Sequence, residues 1–119
     1  MKLQTRAIKP SHLSLGVSDL DASERFYGDV LGLPASRRDG EVFIEWPDFL
    51  LVLTEAPPAA RGKFHFGFRV ENGEAVDAWA ARIKEAGGEI LAGPDDRDEG
   101  RAVFFNDPDQ YVLEIYSER

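Results

Sequence analysis

The chain has 119 residues, 43% of them hydrophobic, a formal charge of −8 and no cysteine. That size predicts one compact domain or two very small modules sharing a core, and the missing cysteines remove disulfides, thiolate metal sites and cysteine nucleophiles. The acidic balance, with no Lys/Arg cluster interleaved with aromatics, argues against nucleic acid as a partner.

No apolar run reaches the roughly 18 residues of a membrane span. The opening MKLQTRAIKPS has no apolar segment of the kind a secretory signal needs. A cytoplasmic protein without a membrane partner is therefore expected.

The first strand-like stretch reads HLSLGV, with Leu13, Leu15 and Val17 at alternate positions. Asp21-Ala22-Ser23-Glu24 has the form of a capping box at a helix start. Phe26, Tyr27, Val30 and Leu31 then fall on one helical face, with Gly32 as the stop. Strands are expected at Glu41–Ile44 and Leu50–Thr54, around a Pro47-Asp48 turn. Glu55–Gly62 is a proline-rich joint.

The pattern then starts again. HFGFRV opens 53 residues after HLSLGV, with Phe66, Phe68 and Val70 in the alternate positions. Val76, Trp79, Ile83 and Ala86 form the second helical stripe, ended by Gly87-Gly88. The acidic stretch Asp95–Glu99 reads as a loop. Ala102–Phe105, the Asp107-Pro108-Asp109 turn and Tyr111–Tyr116 complete the second half. The expected organisation is module one at about 8–56, a joint at about 55–62 and module two at about 63–117. Each module is too small to bury much alone, so the two are expected to share a core.

His12 and His65 are the only histidines, and they open the two matching strands. Side chains alternate across a strand, so His12, Ser14 and Gly16 face away from the helix if Leu13, Leu15 and Val17 face it. By the same rule His65, Gly67 and Arg69 share a face, as do Val112, Glu114 and Tyr116. Two imidazoles and a carboxylate suit a divalent transition metal. Ser14, Gly16 and Gly67 are small enough to leave a cavity beside them. A strand histidine can equally be packed or hydrogen-bonded, and a strand glutamate can simply be solvated. Both readings stay open on pattern alone. Arg69 and Arg101 are candidate anion contacts, or surface ion pairs. Phe43, Trp46, Phe49 and Phe104 are candidates for an aromatic wall, or core.

Taken together, HLSLGVSDLDASERFYGDVLGL, HFGFRV and FFNDPDQYVLEIYS resemble the vicinal oxygen chelate superfamily, the group of glyoxalase I, bleomycin resistance proteins, fosfomycin resistance thiol transferases and extradiol dioxygenases. The resemblance covers essentially the whole chain. It implies an α+β fold of two βαβββ modules related by an internal pseudo-twofold, their mixed sheets curled around a metal-centred cleft. It places the metal ligands at His12, His65 and Glu114, with Fe, Mn, Zn or Ni as the divalent ion.

A fourth ligand, used by glyoxalase I, falls on Val52, which cannot bind a metal. The resemblance therefore implies a lyase, thiol transferase or dioxygenase other than a typical glyoxalase I, acting on a small oxygenated substrate held through adjacent oxygens. Tyr116 and Arg69 are the candidates for further catalytic roles, and the general base is unassigned. Ser14, Val52, Gly67, Arg101 and Phe104 are the candidates for the substrate cleft. The expected assembly is a homodimer. The alternative within the resemblance is a metal-independent drug-binding protein of the bleomycin resistance type.

Overall fold

The computed structural model describes residues 9–58, 64–98 and 100–119, so part of the expected joint lies outside it. The chain forms two four-stranded sheets with the same strand order. The first runs β1 (His12–Val17), β4 (Phe49–Glu55), β3 (Glu41–Trp46), β2 (Ala35–Arg38). The second runs β5 (His65–Arg69), β8 (Val112–Glu118), β7 (Gly100–Asn106), β6 (Ile90–Arg97). β1 is parallel to β4 and β5 is parallel to β8; the remaining pairs are antiparallel. A parallel pair needs a crossover, and the helices supply it. Each sheet therefore carries its histidine strand on an open edge.

The repeat extends to register. Ser14 pairs with Val52, which pairs with Phe43; Gly67 pairs with Glu114, which pairs with Phe104. His12 stands opposite Leu50 and His65 opposite Val112. The same three-residue rows thus occur in both sheets, with valine in one where the other has glutamate.

α1 (Leu20–Glu24) and α2 (Gly73–Glu85) start in the same way. The Asp19 carboxylate accepts from the Ala22 N–H at 3.1 Å, and the Asn72 amide oxygen accepts from the Ala75 N–H at 2.9 Å. Each satisfies a backbone donor that a helix start leaves unpaired. The expected capping box at Asp21 is corrected here. Asp19 is the extended residue ahead of the helix, while Asp21 and Glu24 both accept from Arg37, at 2.7 and 2.8 Å.

α1 continues as a π-helical turn over Arg25–Val30, its wider ring closed by Leu31 N–H donating to the Phe26 carbonyl at 3.0 Å. Gly32 then takes φ +68, the left-handed conformation that ends a helix most readily at glycine. The stretch Asp95–Arg97, expected as loop, is strand: it pairs with Ala102–Gly100 at the outer edge of the second sheet. Charged side chains are at home there because an edge strand keeps one side in water.

Leu15 and Val17 of β1, Leu51 and Leu53 of β4, and Leu113 and Ile115 of β8 are buried on the helix side. Phe26 and Tyr27 of the first module pack with Val103, Phe105 and Tyr111 of the second in one continuous core. Phe26 and Phe105 bring their ring centroids to 6.2 Å across the join. Neither module thus completes its core without the other.

Polar clamps fasten one end of this seam. The Tyr27 hydroxyl donates to Asp107 at 2.8 Å, and the other Asp107 oxygen accepts from the N–H groups of Asp109 and Tyr111 at 2.8 and 2.9 Å. Ser18 donates its N–H and its hydroxyl to Asp109, and the Tyr111 hydroxyl donates to the Gly16 carbonyl at 2.8 Å. Arg82 of α2 reaches the carbonyls of Val30 and Asp29 at 2.6 and 2.9 Å, capping the end of the first module's helix. The Asp-Pro-Asp turn is therefore an intermodule fastener as well as a hairpin. Among the described residues, no helix is long and apolar enough to cross a membrane.

Candidate functional site

The burial alternation along β8 turns Val112, Glu114 and Tyr116 to the face away from α2, and Leu113, Ile115 and Ser117 toward it. β5 lies beside β8 in register, so His65, Gly67 and Arg69 share the Glu114 face. There His65 Nε2 stands 3.5 Å from Glu114 Oε1, with the imidazole 45% and the carboxylate 21% exposed. Gly67, directly opposite Glu114, presents no side chain; a Cβ built on it would meet the Glu114 carboxylate at 3.5 Å. Anything longer would crowd the acid.

The Phe104 ring closes this face. Its centroid lies 5.7 Å from that of His65, with the rings 70° apart in an edge-on arrangement. On it rests the Arg97 guanidinium, 4.9 Å from the ring centroid, which also donates to Asp95 at 2.8 Å. Arg97 was not legible as a site residue because the strand carrying it was read as loop. The same pairing occurs on the first sheet, where Arg38 lies 4.3 Å over Phe43. Each face thus has an arginine-capped phenylalanine in the row of the ligand position. Such a contact contributes about 0.5–1 kcal/mol when exposed and orients the ring.

The remaining candidates divide. Tyr116 is half-buried on the Glu114 face, one pleat further along β8. Arg69 lies on that face too, but its guanidinium donates to Glu118 at 2.7 Å. Arg101 does not join them. It pairs in register with buried Ser117, and its guanidinium donates to Asp77 of α2 at 2.8 Å and to Asp96 at 3.1 Å. It belongs to the helix side, and the site face does without it.

On the first sheet Ser14 and Val52 stand side by side, Ser14 exposed and Val52 buried. Exposed His12 begins the same strand face, and its Nδ1 lies 2.9 Å from the Ser11 hydroxyl. His12 is thus on the other sheet from the His65–Glu114 pair. Among the described residues of one chain, no three His, Asp or Glu side chains form a group able to hold a metal.

Residues 9–115 match the model of the Glyoxalase/Bleomycin resistance protein/Dioxygenase superfamily. The chain belongs to this superfamily. Its relatives include the manganese-dependent 2,3-dihydroxybiphenyl 1,2-dioxygenase of Geobacillus genomosp. 3, 29% identical over 116 residues. That match covers 91% of this chain but only 36% of the dioxygenase, so the chain spans about a third of that relative's length. The metallothiol transferase FosB of Shouchella clausii is 28% identical over 115 residues, covering 90% of this chain and 78% of the transferase.

Among solved structures, a glyoxalase/dioxygenase from Nostoc punctiforme superposes with a TM-score of 0.83 at 24% identity, over 100% of this chain and 97% of that one. This likeness is one of fold. The superfamily's α+β architecture of two four-stranded mixed sheets is the one described above.

Proposed function

We propose that the protein is a divalent-metal-dependent enzyme of this superfamily, acting on a small oxygenated organic substrate, with His12, His65 and Glu114 as metal ligands. The observation that carries this reading is the His65–Glu114 pair on an open sheet face. Two bonds of about 2.1 Å at a tetrahedral angle set their donor atoms about 3.4 Å apart. The 3.5 Å between His65 Nε2 and Glu114 Oε1 fits a shared cation. Neutral imidazole and anionic carboxylate are a donor set for Mn, Fe, Zn or Ni.

The third donor, His12, comes in this proposal from a second copy of the chain. It opens an edge strand of the other sheet, with its ring exposed. The Ser11 hydroxyl at Nδ1 leaves Nε2 as the coordinating nitrogen and fixes the ring's orientation, as outer partners of metal-bound histidines do. A twofold dimer would form two such centres, each taking His12 from one copy and the His65–Glu114 pair from the other.

A bound ion would supply Lewis-acid stabilisation of negative charge developing on substrate oxygens. The chain's own residues supply the rest. Glu114 neutralises part of the cation's charge, and Gly67 leaves room beside it. Phe104, held by Arg97, gives an apolar wall edge-on to His65, and Tyr116 lines the next pleat. Val52 in the fourth ligand position keeps the protein donors at three, leaving positions for substrate. This favours a dioxygenase or thiol transferase reaction over that of glyoxalase I. The metal named for the Geobacillus dioxygenase and the word metallothiol in the FosB name support metal use here. Small-molecule substrate, homodimer and cytoplasmic location form the same proposal.

Metal analysis of protein purified without chelator tests it. About one ion per chain is expected, with loss in His65→Ala and in Glu114→Gln. Metal-free wild-type protein, or variants with unchanged content, would favour the drug-binding alternative.

A further inference from the structure

The seam between the modules has a second end, related to the clamped one by the internal repeat, and there it is open. A cavity of about 450 Å³ lies between the sheets, lined by Leu33, Trp46, Phe49, Phe66, Phe68 and Trp79 among others. The repeat explains why the chain does not close it. The residues in the positions of Tyr27 and Asp107 are Ala80 and Trp46, which cannot make that hydrogen bond. In the positions of Ser18 and Asp109 stand two carboxylates, Glu71 and Asp48. Phe49 takes the place of Tyr111 and lacks its hydroxyl.

The lining is apolar, with five aromatic rings beside six aliphatic side chains, and nearly free of unmet polar groups. Trp46 lies 6.0 Å from Phe68 and 6.5 Å from Phe49, and Phe66 lies 5.6 Å from Phe68, centroid to centroid. Arg69 is the one charged residue in the lining, and its guanidinium is already paired with Glu118 at 2.7 Å. Phe66 and Phe68 alternate with His65 and Gly67 along β5, so these two rings enter the cavity from the side opposite the His65–Glu114 pair, although Gly67 and Arg69 of the same strand also border it.

We infer that this cavity binds a planar, uncharged aromatic molecule of one or two rings, at a site separate from the metal face. The volume is within the range of small-molecule pockets, about 300–1,000 Å³, which are mostly apolar with few polar groups. Tilted aromatic walls favour a flat guest that can meet them by offset or edge contacts. The inference does not depend on the metal reading.

The chain's only tryptophans, Trp46 and Trp79, both line the cavity, so their two indole N–H resonances report on it. The experiment titrates the full-length protein with toluene and with 2-naphthol, following both resonances by NMR. The expected result is that both move along one saturable curve with a dissociation constant below about 1 mM. Intermolecular NOEs from toluene protons to both indole rings should accompany it. The double variant Leu13→Phe/Leu33→Phe, which adds bulk to the lining, should weaken binding at least about tenfold. His65→Ala with chelator should bind within about twofold of wild type.

Non-saturating shifts, absent NOEs, or binding lost in His65→Ala would overturn the inference. So would indole resonances that move with protein concentration and ignore toluene, because a second copy would then cover the cavity. Should the double variant fail to fold, the NOEs in wild-type protein still decide the matter.

Discussion

The two ends of the intermodule seam are built from equivalent positions of a repeated chain, yet one is fastened and the other is hollow. At the fastened end Tyr27, Asp107, Asp109 and Tyr111 are buried and hydrogen-bonded across the modules. At the other, Ala80, Trp46, Asp48 and Phe49 hold the corresponding sequence positions, and Trp46 and Phe49 line an apolar cavity. The same division of labour runs through the sheet faces, where Glu114 in one row answers to Val52 in the other. A repeat preserves backbone and register, while single side chains decide which copy bears load and which is left to bind.

Breaking the fastened end should have the largest effect on stability. Asp107→Ala removes the acceptor of three buried donors and is expected to cost about 3 kcal/mol in urea unfolding. Trp46→Leu, at the equivalent position of the open end, should cost about 1 kcal/mol, because Trp46 is only half-buried and meets the second module through its ring contact with Phe68 instead of a buried hydrogen bond. Equal costs would erase the distinction between the ends. Tyr27→Phe keeps the packing and removes one hydroxyl, so about 1–2 kcal/mol is expected by the same measurement.

A pH series sharpens the comparison further. Burial pushes the Asp107 carboxyl above its ordinary range, although the Tyr111 N–H, the Tyr27 hydroxyl and the Asp109 N–H pull the other way. A carboxyl whose folded-state pKa exceeds its unfolded one binds its proton more tightly when folded. Its contribution to stability is therefore greatest in acid and declines as pH rises through that raised pKa. Relative to Asp107→Asn, wild-type protein should lose stability across this window on going from acid to neutral pH. A flat or opposite difference would contradict the burial argument.

The smallest effects should be equal in the two halves. Asp19→Ala and Asn72→Ala each remove one helix cap and should each cost about 1 kcal/mol. A large inequality would show that the modules are less alike in energy than in form.

Much of this was legible in the sequence because it depends on period. Alternation of period two in HLSLGV, HFGFRV and YVLEIY sorted helix-facing from open-facing residues, and the burial of Leu15, Val17, Leu113 and Ile115 follows that sorting. The equivalence of Val52 and Glu114 followed from spacing and is matched residue for residue by the pairing register. What escaped has local or long-range causes. β6 carries Gly93, Pro94 and acidic residues that lower strand propensity, and pairing with β7 overrides them; Arg97 was hidden with it. Arg101 sits one residue out of phase with the site face, a matter of strand start that composition does not show. The fasteners join residues about 80–95 positions apart in the chain, and no periodicity reports such pairs.

The most direct test of the proposed metal centre is complementation between two inactive chains. His12→Ala and His65→Ala protein, each purified metal-free, are unfolded together, refolded as a mixture and loaded with manganese. If each centre takes His12 from one copy and His65 with Glu114 from the other, every mixed dimer regains one intact site, and random pairing restores about a quarter of the wild-type metal content. Metal content no higher than that of the separate variants, in a mixture shown to contain mixed dimers, would contradict a centre shared between copies.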